Sequence, residues 1–154
     1  MTNLAIFAAG CFWGIEEKFL SQPGVLNTEV GYIGGITKNP NYQDVCYGNT
    51  EHAEAVRVKF DSLVISYESL LNLFFEIHDP TTLNRQGPDI GTQYRSEIFC
   101  LDEDQYLTAD TFKRNLNNDK FNGNIVTSIS MAGTFWIAEE YHQKYIRKKK
   151  NMIL

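Results

Sequence analysis

The apolar positions of the first 33 residues change their spacing twice. Residues 4–9 form a short apolar run that ends at a glycine, which predicts a buried strand. From residue 11 to about residue 20 the spacing becomes helical, and Pro23-Gly24 stops the predicted helix. Its apolar side comprises Phe12, Ile15, Phe19 and Leu20, and its solvent side Glu16, Glu17 and Lys18. A second strand is predicted for residues 26–33.

Three further segments complete the pattern of the first hundred residues. Residues 53–60 alternate, which predicts a half-buried strand with Glu54 on the same side as Val56 and Val58. Residues 66–78 are predicted to form an amphipathic helix that Ser66 can cap. Strand character resumes in residues 93–101. The resulting order, βαββαβ, is that of the ferredoxin-like split βαβ plait, an α+β fold.

The rest of the chain extends this predicted plait by an αβα unit. A helix is expected over residues 103–117, a strand over 124–131 and a helix from 138 to about 149. Residues 34–50 and 81–92 are rich in glycine, proline and polar residues, so we expect two long loops gathered above a mixed sheet with helices packed on it. The 154 residues contain no repeat or linker, and a single domain over residues 1–154 is predicted.

The charge balance argues against nucleic acid as a partner. Lysine and arginine number 14 against 19 aspartates and glutamates, a net charge of −5, whereas phosphate binding needs clustered positive charge. The one basic run, residues 147–150, ends a predicted helix, where cations complement the helix dipole. No apolar run approaches the ~20 residues of a membrane span, and no secretory signal pattern precedes the first strand. We therefore expect a cytoplasmic protein without membrane contact.

The three cysteines, Cys11, Cys46 and Cys100, are too few and odd in number for a disulfide framework. Cys11 follows a predicted strand and begins a helix, where unpaired backbone N–H groups and the helix dipole favour a thiolate. It is therefore a candidate nucleophile, the alternative being a buried thiol. Cys100 lies in a predicted strand and is expected in the core.

Glu54 is the second candidate for chemistry because it lies on the apolar side of its strand. Burial raises the pKa of a carboxyl group, which can make it a general acid near neutral pH. Alternatively, Glu54 lies at a frayed strand end and reaches solvent, or pairs with Arg57 or Arg95. Its position in the sequence favours neither interpretation.

Phe12 and Trp13 follow the candidate nucleophile directly. Adjacent helical residues point about 100° apart, so both rings cannot face the core. One of them is predicted to line a site beside the thiol, suited to a small apolar group such as an S-methyl. The histidines and cysteines lack the paired spacing of a zinc site, and we expect no metal.

Several longer motifs resemble one enzyme family. Residues 10–14 (GCFWG) are similar to the signature of the A-type peptide methionine sulfoxide reductases. Other matching stretches are residues 31–35 (GYIGG), 39–42 (NPNY), 52–56 (HAEAV), 91–96 (GTQYRS) and 138–143 (AEEYHQ). The resemblance covers residues 4 to about 146.

The resemblance implies a role for each matching residue. The catalytic positions of the family match Cys11, Glu54, Tyr42, Tyr94 and Asp89, and the positions that cradle the substrate methyl match Phe12 and Trp13. The implied reaction is reduction of methionine S-sulfoxide, free or in oxidised proteins, through a sulfenic acid on the nucleophilic cysteine. It implies a monomer that needs no cofactor, only an external thiol reductant: thioredoxin, or glutaredoxin with glutathione.

One departure from the family pattern concerns the second thiol. Many members carry a recycling cysteine on a C-terminal tail, whereas no cysteine follows Cys100 here. Either Cys46 resolves the sulfenic acid or an external thiol attacks Cys11 directly, and we expect direct external reduction. Two other functions stay open at this point, namely a binding module without activity and a thiol peroxidase.

Overall fold

A computed structural model describes residues 2–47 and 49–153 of the chain. The elements follow in the order β1 (Thr2–Ala9), α1 (Phe12–Leu20), β2 (Val25–Ile33), α2 (Tyr42–Cys46), β3 (Ala53–Asp61), α3 (Tyr67–Glu76), β4 (Arg85–Gln86), β5 (Asp89–Ile90), β6 (Ser96–Cys100), α4 (Glu103–Asp119), β7 (Ser128–Met131), β8 (Trp136–Ile137) and α5 (Tyr145–Ile153). Short 3₁₀ helices cover Thr92–Tyr94 and Glu140–His142.

Four strands form the antiparallel centre of the main sheet in the order β6-β1-β3-β2. This is the strand order of the ferredoxin-like plait, and it confirms the predicted fold class. At one edge β7 adds to β6 in parallel, and at the other β8 adds to β2 antiparallel. The sheet therefore contains both parallel and antiparallel strand pairs, as expected for a mixed sheet.

Helices α1, α3 and α4 pack on one face of the sheet. The core there is aromatic, with the Phe7 ring stacked 5.0 Å from Phe19 and lying 5.4 Å from Phe74. The alternation predicted for β3 is confirmed, because Val56 and Val58 are fully buried on this face. Ser66 also caps α3 as predicted, accepting a hydrogen bond from the Ser69 N–H at 3.0 Å.

Both predicted loops contain secondary structure that the sequence pattern missed. The loop of residues 34–50 includes the short helix α2, whose N-terminus is capped by Asn41. The loop of residues 81–92 contains the hairpin β4-β5, and the 3₁₀ helix that follows delays β6 until Ser96 instead of residue 93. Elements of two to five residues are too short for periodicity to reveal.

The helix predicted from residue 138 is wrong in its first half. That segment is a strap of residues 138–144 that contains a 3₁₀ helix, and α5 begins only at Tyr145. Two tertiary hydrogen bonds replace helical ones, because the Gln143 amide pairs with both the N–H and the C=O of Val30. Lys144, at the end of the strap, adopts a left-handed φ of 52° that interrupts the helix. The preceding strand β8 was not predicted. Within the described residues, no helix combines the length and apolar character of a membrane span.

Candidate active site

Cys11 lies at the corner where β1 ends and α1 begins, at the N-cap position of the helix. The corner depends on Gly10, whose φ of +100° is unfavourable for other residues and whose missing Cβ leaves room for the Gln86 side chain. Cys11 is partly exposed and lines an open groove of about 290 Å³ together with Gly14, Ile77 and Asp89. The thiol is therefore accessible to a small reactant.

The protonation state of Cys11 differs from the expected one. Burial raises the pKa of its thiol, and the negative charges of Glu54 and Asp89 raise it further. The backbone N–H groups of Trp13 and Gly14 act in the opposite direction, as predicted for a helix N-terminus, but they are outweighed. Cys11 is consequently a thiol in the free protein at neutral pH, and its activation requires a change in this balance.

Glu54 lies inside the protein, with 1% of its surface exposed. Its Oε1 accepts a hydrogen bond from the Phe12 N–H at 3.2 Å, and its buried Oε2 has no hydrogen-bond partner among the described residues. Burial raises the pKa of Glu54 to about 7, the charge of Asp89 adds to the rise, and the Phe12 N–H opposes it. A carboxyl group with this pKa can donate a proton near neutral pH.

The alternative interpretations of Glu54 are excluded by its surroundings. Arg57 forms a salt bridge with Glu29 at 2.7 Å, and Arg95 one with Glu97 at 2.7 Å. Neither arginine is therefore the partner of Glu54, which has Tyr32 of β2 opposite it in the sheet. Among the described residues, no cation forms a salt bridge with this inward-facing carboxyl group.

Two tyrosine hydroxyls lie near this carboxyl group, and both are expected to stay protonated. Burial and a hydrogen bond to the Cys46 sulfur raise the pKa of Tyr42. Burial, together with the charge of Glu54, raises the pKa of Tyr94 to about 12. Cys46 is mostly exposed on α2, and its pKa is raised by partial burial although the Tyr42 hydroxyl lowers it. Both hydroxyls can thus donate hydrogen bonds.

The aromatic residues after Cys11 divide as predicted. Phe12 is buried in the core, with its ring 5.8 Å from Tyr32, whereas Trp13 is partly exposed. The Trp13 indole N–H donates to His142 Nδ1 at 2.9 Å, and the indole ring stacks on Tyr145 at 3.9 Å. Trp13 is therefore held in a fixed orientation beside Cys11.

Sequence reasoning assigned no role in the site to any individual residue of the strap of residues 138–144. His142 is fully buried, and its ring contacts those of Phe12 and Tyr42. Burial lowers the pKa of His142, and its Nδ1 accepts from Trp13, so the ring is neutral with its proton on Nε2. The AEEYHQ motif of residues 138–143 was the only signal for this segment, and periodicity alone suggested a helix.

The structure brings all the predicted site residues to one region. Asp89, on β5, is close enough to Cys11 and Glu54 for its charge to act on both. Glu16 is different: it was expected on the solvent side of α1, but it is buried with 1% of its surface exposed. Among the described residues, no three histidine, cysteine, aspartate or glutamate side chains cluster as a metal site requires.

Comparisons with known proteins agree with this arrangement. A family model described as peptide methionine sulfoxide reductase matches residues 3–153. The chain is similar to the peptide methionine sulfoxide reductase MsrA of Methanoculleus marisnigri, with 54% identity over 146 residues that cover 94% of this chain and 89% of the relative.

Solved structures extend the comparison to the fold. The reduced form of Mxr1 from Saccharomyces cerevisiae has a TM-score of 0.92 and 36% identity, covering 97% of this chain and 86% of that one. Mxr1 in complex with Trx2 is also similar, with a TM-score of 0.67 and 25% identity over 94% of this chain and 84% of that one.

Proposed function

Because the chain belongs to the peptide methionine sulfoxide reductase family and is thus an oxidoreductase that reduces methionine sulfoxide, we propose that Cys11 is its nucleophile and Glu54 its general acid. The observation that carries this assignment is the hydrogen bond from the Phe12 N–H to Glu54. It joins a carboxyl group of pKa about 7 to the residue directly after the reactive thiol.

In the proposed reaction, Cys11 first loses its thiol proton to solvent, and the thiolate sulfur then attacks the sulfoxide sulfur while neutral Glu54 protonates the sulfoxide oxygen. Tyr42 and Tyr94 donate hydrogen bonds to that oxygen as charge develops on it. The sulfur–oxygen bond of the sulfoxide breaks, and the protonated oxygen bonds to the Cys11 sulfur as the sulfur–sulfur bond formed by the attack breaks. Methionine leaves reduced by two electrons, and Cys11 is left as a sulfenic acid.

The substrate is proposed to be methionine S-sulfoxide, free or within a protein. Trp13 is proposed to offer apolar ring surface for the S-methyl group, because methyl groups adjacent to sulfur pack well on aromatic faces, and buried Phe12 to support the site from the core. The groove beside Cys11 is open, and Gly14 contributes no side chain to it. It leaves space for the polypeptide that flanks an oxidised methionine, as repair of oxidised proteins requires.

An external thiol is proposed to restore Cys11. Cys46 is mostly exposed, and the Tyr42 hydroxyl is hydrogen-bonded to its sulfur, so it lies at the rim of the site on α2. We nevertheless favour direct attack by a thioredoxin, or by glutaredoxin with glutathione, on the Cys11 sulfenic acid. The complex of the similar protein Mxr1 with Trx2 supports a partner of the first kind. All three cysteines are free, which suits a reducing compartment such as the cytoplasm.

A thiol titration tests the reaction and its resolution together. The protein is mixed with one equivalent of methyl sulfoxide in the absence of reductant, and free thiols are counted before and after. We expect one of the three thiols to disappear and the Cys11→Ser variant to lose none and to form no sulfide.

The other outcomes of this titration are equally informative. Loss of two thiols, reduced to one in Cys46→Ser, would assign Cys46 as the resolving thiol and contradict direct external reduction. Full sulfoxide turnover by Cys11→Ser would remove Cys11 from the reaction.

A further inference from the structure

Helix α2 brings Tyr42 into the site, yet few contacts hold it there. It has only five residues, and Val45 is its one buried side chain. The capping interactions of Asn41 and Asp44 are local and do not attach the helix to the rest of the protein. Among the described residues, its orientation depends on Glu139, on the His142 ring 4.4 Å from that of Tyr42, and on Gln93, whose amide donates to the Cys46 C=O at 3.5 Å.

Glu139, in the strap of residues 138–144, makes the shortest of these contacts. Its Oε2 accepts a hydrogen bond from the Tyr42 N–H at 2.9 Å, which satisfies a backbone donor that the helix itself cannot pair. Its Oε1 accepts from the Tyr32 hydroxyl, also at 2.9 Å. Tyr32 is fully buried on β2, so Glu139 joins the first residue of α2 to the rigid sheet.

Glu139 differs from Glu54 in its protonation state. Partial burial raises the pKa of Glu139, but hydrogen bonds from the Tyr42 N–H, from its own N–H and from Tyr32 lower it more. The carboxylate is therefore charged at neutral pH, and hydrogen bonds to a charged acceptor are about twice as strong as neutral ones. The contact is well suited to fix the position of Tyr42.

We propose that Glu139 is a positioning residue for the reaction, acting through Tyr42 by anchoring the start of α2 to Tyr32. The proposal rests on the proposed function, since it matters only if the Tyr42 hydroxyl acts on the sulfoxide oxygen. Glu139 does not itself take part in the chemistry. Its removal releases the Tyr42 backbone and lets the hydroxyl leave its place near Glu54.

The consequence for kinetics is specific. The apolar contacts of the substrate methyl with Trp13 do not involve Glu139, so KM should change little. The chemical step should slow, but by no more than the loss of the Tyr42 hydroxyl itself causes. A general weakening of the fold would not limit the loss of rate to the loss that removal of the Tyr42 hydroxyl causes.

A double-mutant cycle tests the proposal. Sulfenic acid formation is measured in single turnovers for wild type, Glu139→Ala, Tyr42→Phe and the double variant. We expect Glu139→Ala to slow the step about tenfold with KM within about twofold of wild type, corresponding to the loss of one well-placed hydrogen bond in the transition state. In the Tyr42→Phe background the same change should have almost no effect. A tenfold loss in that background too would overturn the proposal, as would an unchanged rate in Glu139→Ala.

Two further variants protect the test against trivial outcomes. Glu140→Ala is the matched control, because the neighbouring Glu140 side chain is 90% exposed and, within the described part of the chain, forms a salt bridge only with Lys148 at 3.6 Å; its rate should equal that of wild type. If Glu139→Ala does not fold, Glu139→Gln keeps the shape and one acceptor, and we expect it to slow the step about three times. A wild-type rate for this variant would contradict the proposal.

Failure of the proposed function is recognised separately. If the wild-type protein left the sulfoxide unreduced, the proposed function would be at fault. If wild type reduced it and Tyr42→Phe were fully active, Glu139 would have no residue to act through, and only the inference about Glu139 would fall.

Discussion

Two buried glutamates, Glu16 in the middle of helix α1 and Glu54 of β3 at the start of that helix, are equally hidden from water. Glu16 and Glu54 each expose 1% of their surface. The Glu16 carboxyl accepts hydrogen bonds from the Thr28 hydroxyl at 2.8 Å and from the Lys144 N–H at 2.6 Å. The Glu54 carboxyl accepts a single longer one, from the Phe12 N–H at 3.2 Å, and its second oxygen has no partner among the described residues.

The difference separates a structural carboxyl group from a candidate acid. Burial raises the pKa of both groups, but the hydrogen bonds to Glu16 and the charge of Lys144 act against the rise. The pKa of Glu54, whose carboxyl group has a less complete set of hydrogen-bond partners, is raised to about 7. The completeness of these hydrogen bonds, and not burial alone, therefore distinguishes the candidate acid from Glu16.

Activity should distinguish the two glutamates most strongly. Replacing Glu54 by Gln keeps the shape of the side chain but removes the proton donor, and we expect single-turnover reduction of a methyl sulfoxide to slow by about 10²–10⁴. Glu16→Gln is the matched control and should stay within about threefold of wild type. Equal losses in the two variants would mean that Glu54, too, is only structural.

The stability of the two variants should also distinguish the two glutamates. The pKa of Glu54 rises from an ordinary 4.5 to about 7 on folding, so above pH 7 the folded protein carries a poorly solvated charge. Glu54→Gln should therefore be more stable than wild type by about 3 kcal/mol at pH 8, and the advantage should vanish below about pH 4.5, where Glu54 is neutral in both states. The raised pKa of Glu16 acts in the same direction, but Gln can accept only one of the two hydrogen bonds that the Glu16 carboxyl accepts, so Glu16→Gln should gain less stability at pH 8 than Glu54→Gln. Urea denaturation at pH 8 and at pH 4.5 measures both, and destabilisation by Glu54→Gln at pH 8 would contradict the assignment of its pKa.

The pH profile provides the finest comparison. Sulfenic acid formation needs a protonated Glu54 and a Cys11 thiolate, and the thiolate fraction rises tenfold per pH unit below the raised pKa of Cys11. In wild type, kcat/KM should rise with pH and level off near pH 7. Above pH 7 the protonated fraction of Glu54 falls about tenfold per pH unit, which cancels the tenfold rise of the Cys11 thiolate fraction. In Glu54→Gln the rise should continue past pH 8, whereas Glu16→Gln should level off like wild type. Levelling near pH 7 in Glu54→Gln would assign that ionisation to another group.

Sequence reasoning placed the candidate residues Cys11 and Glu54 better than it placed the structure around them. Cys11 was identified by its place between a strand and a helix, and the inward position of Glu54 followed from strand alternation. Glu16 was placed on the solvent side because its neighbours Glu17 and Lys18 are charged. Its burial depends on the Lys144 N–H, which is 128 positions away in the chain.

The βαββαβ order of the first hundred residues, the family and the candidate reactive residues follow from the sequence itself, because periodicity and motifs are local properties that neighbouring residues express. Only the tertiary structure decided which buried carboxyl group is fully hydrogen-bonded, that burial outweighs the helix N-terminus at Cys11, and that the strap of residues 138–144 anchors Trp13 and α2. These outcomes depend on groups that are distant in the chain. The protonation of each buried group depends on how completely hydrogen bonds within the protein replace those that the group made to water in the unfolded chain.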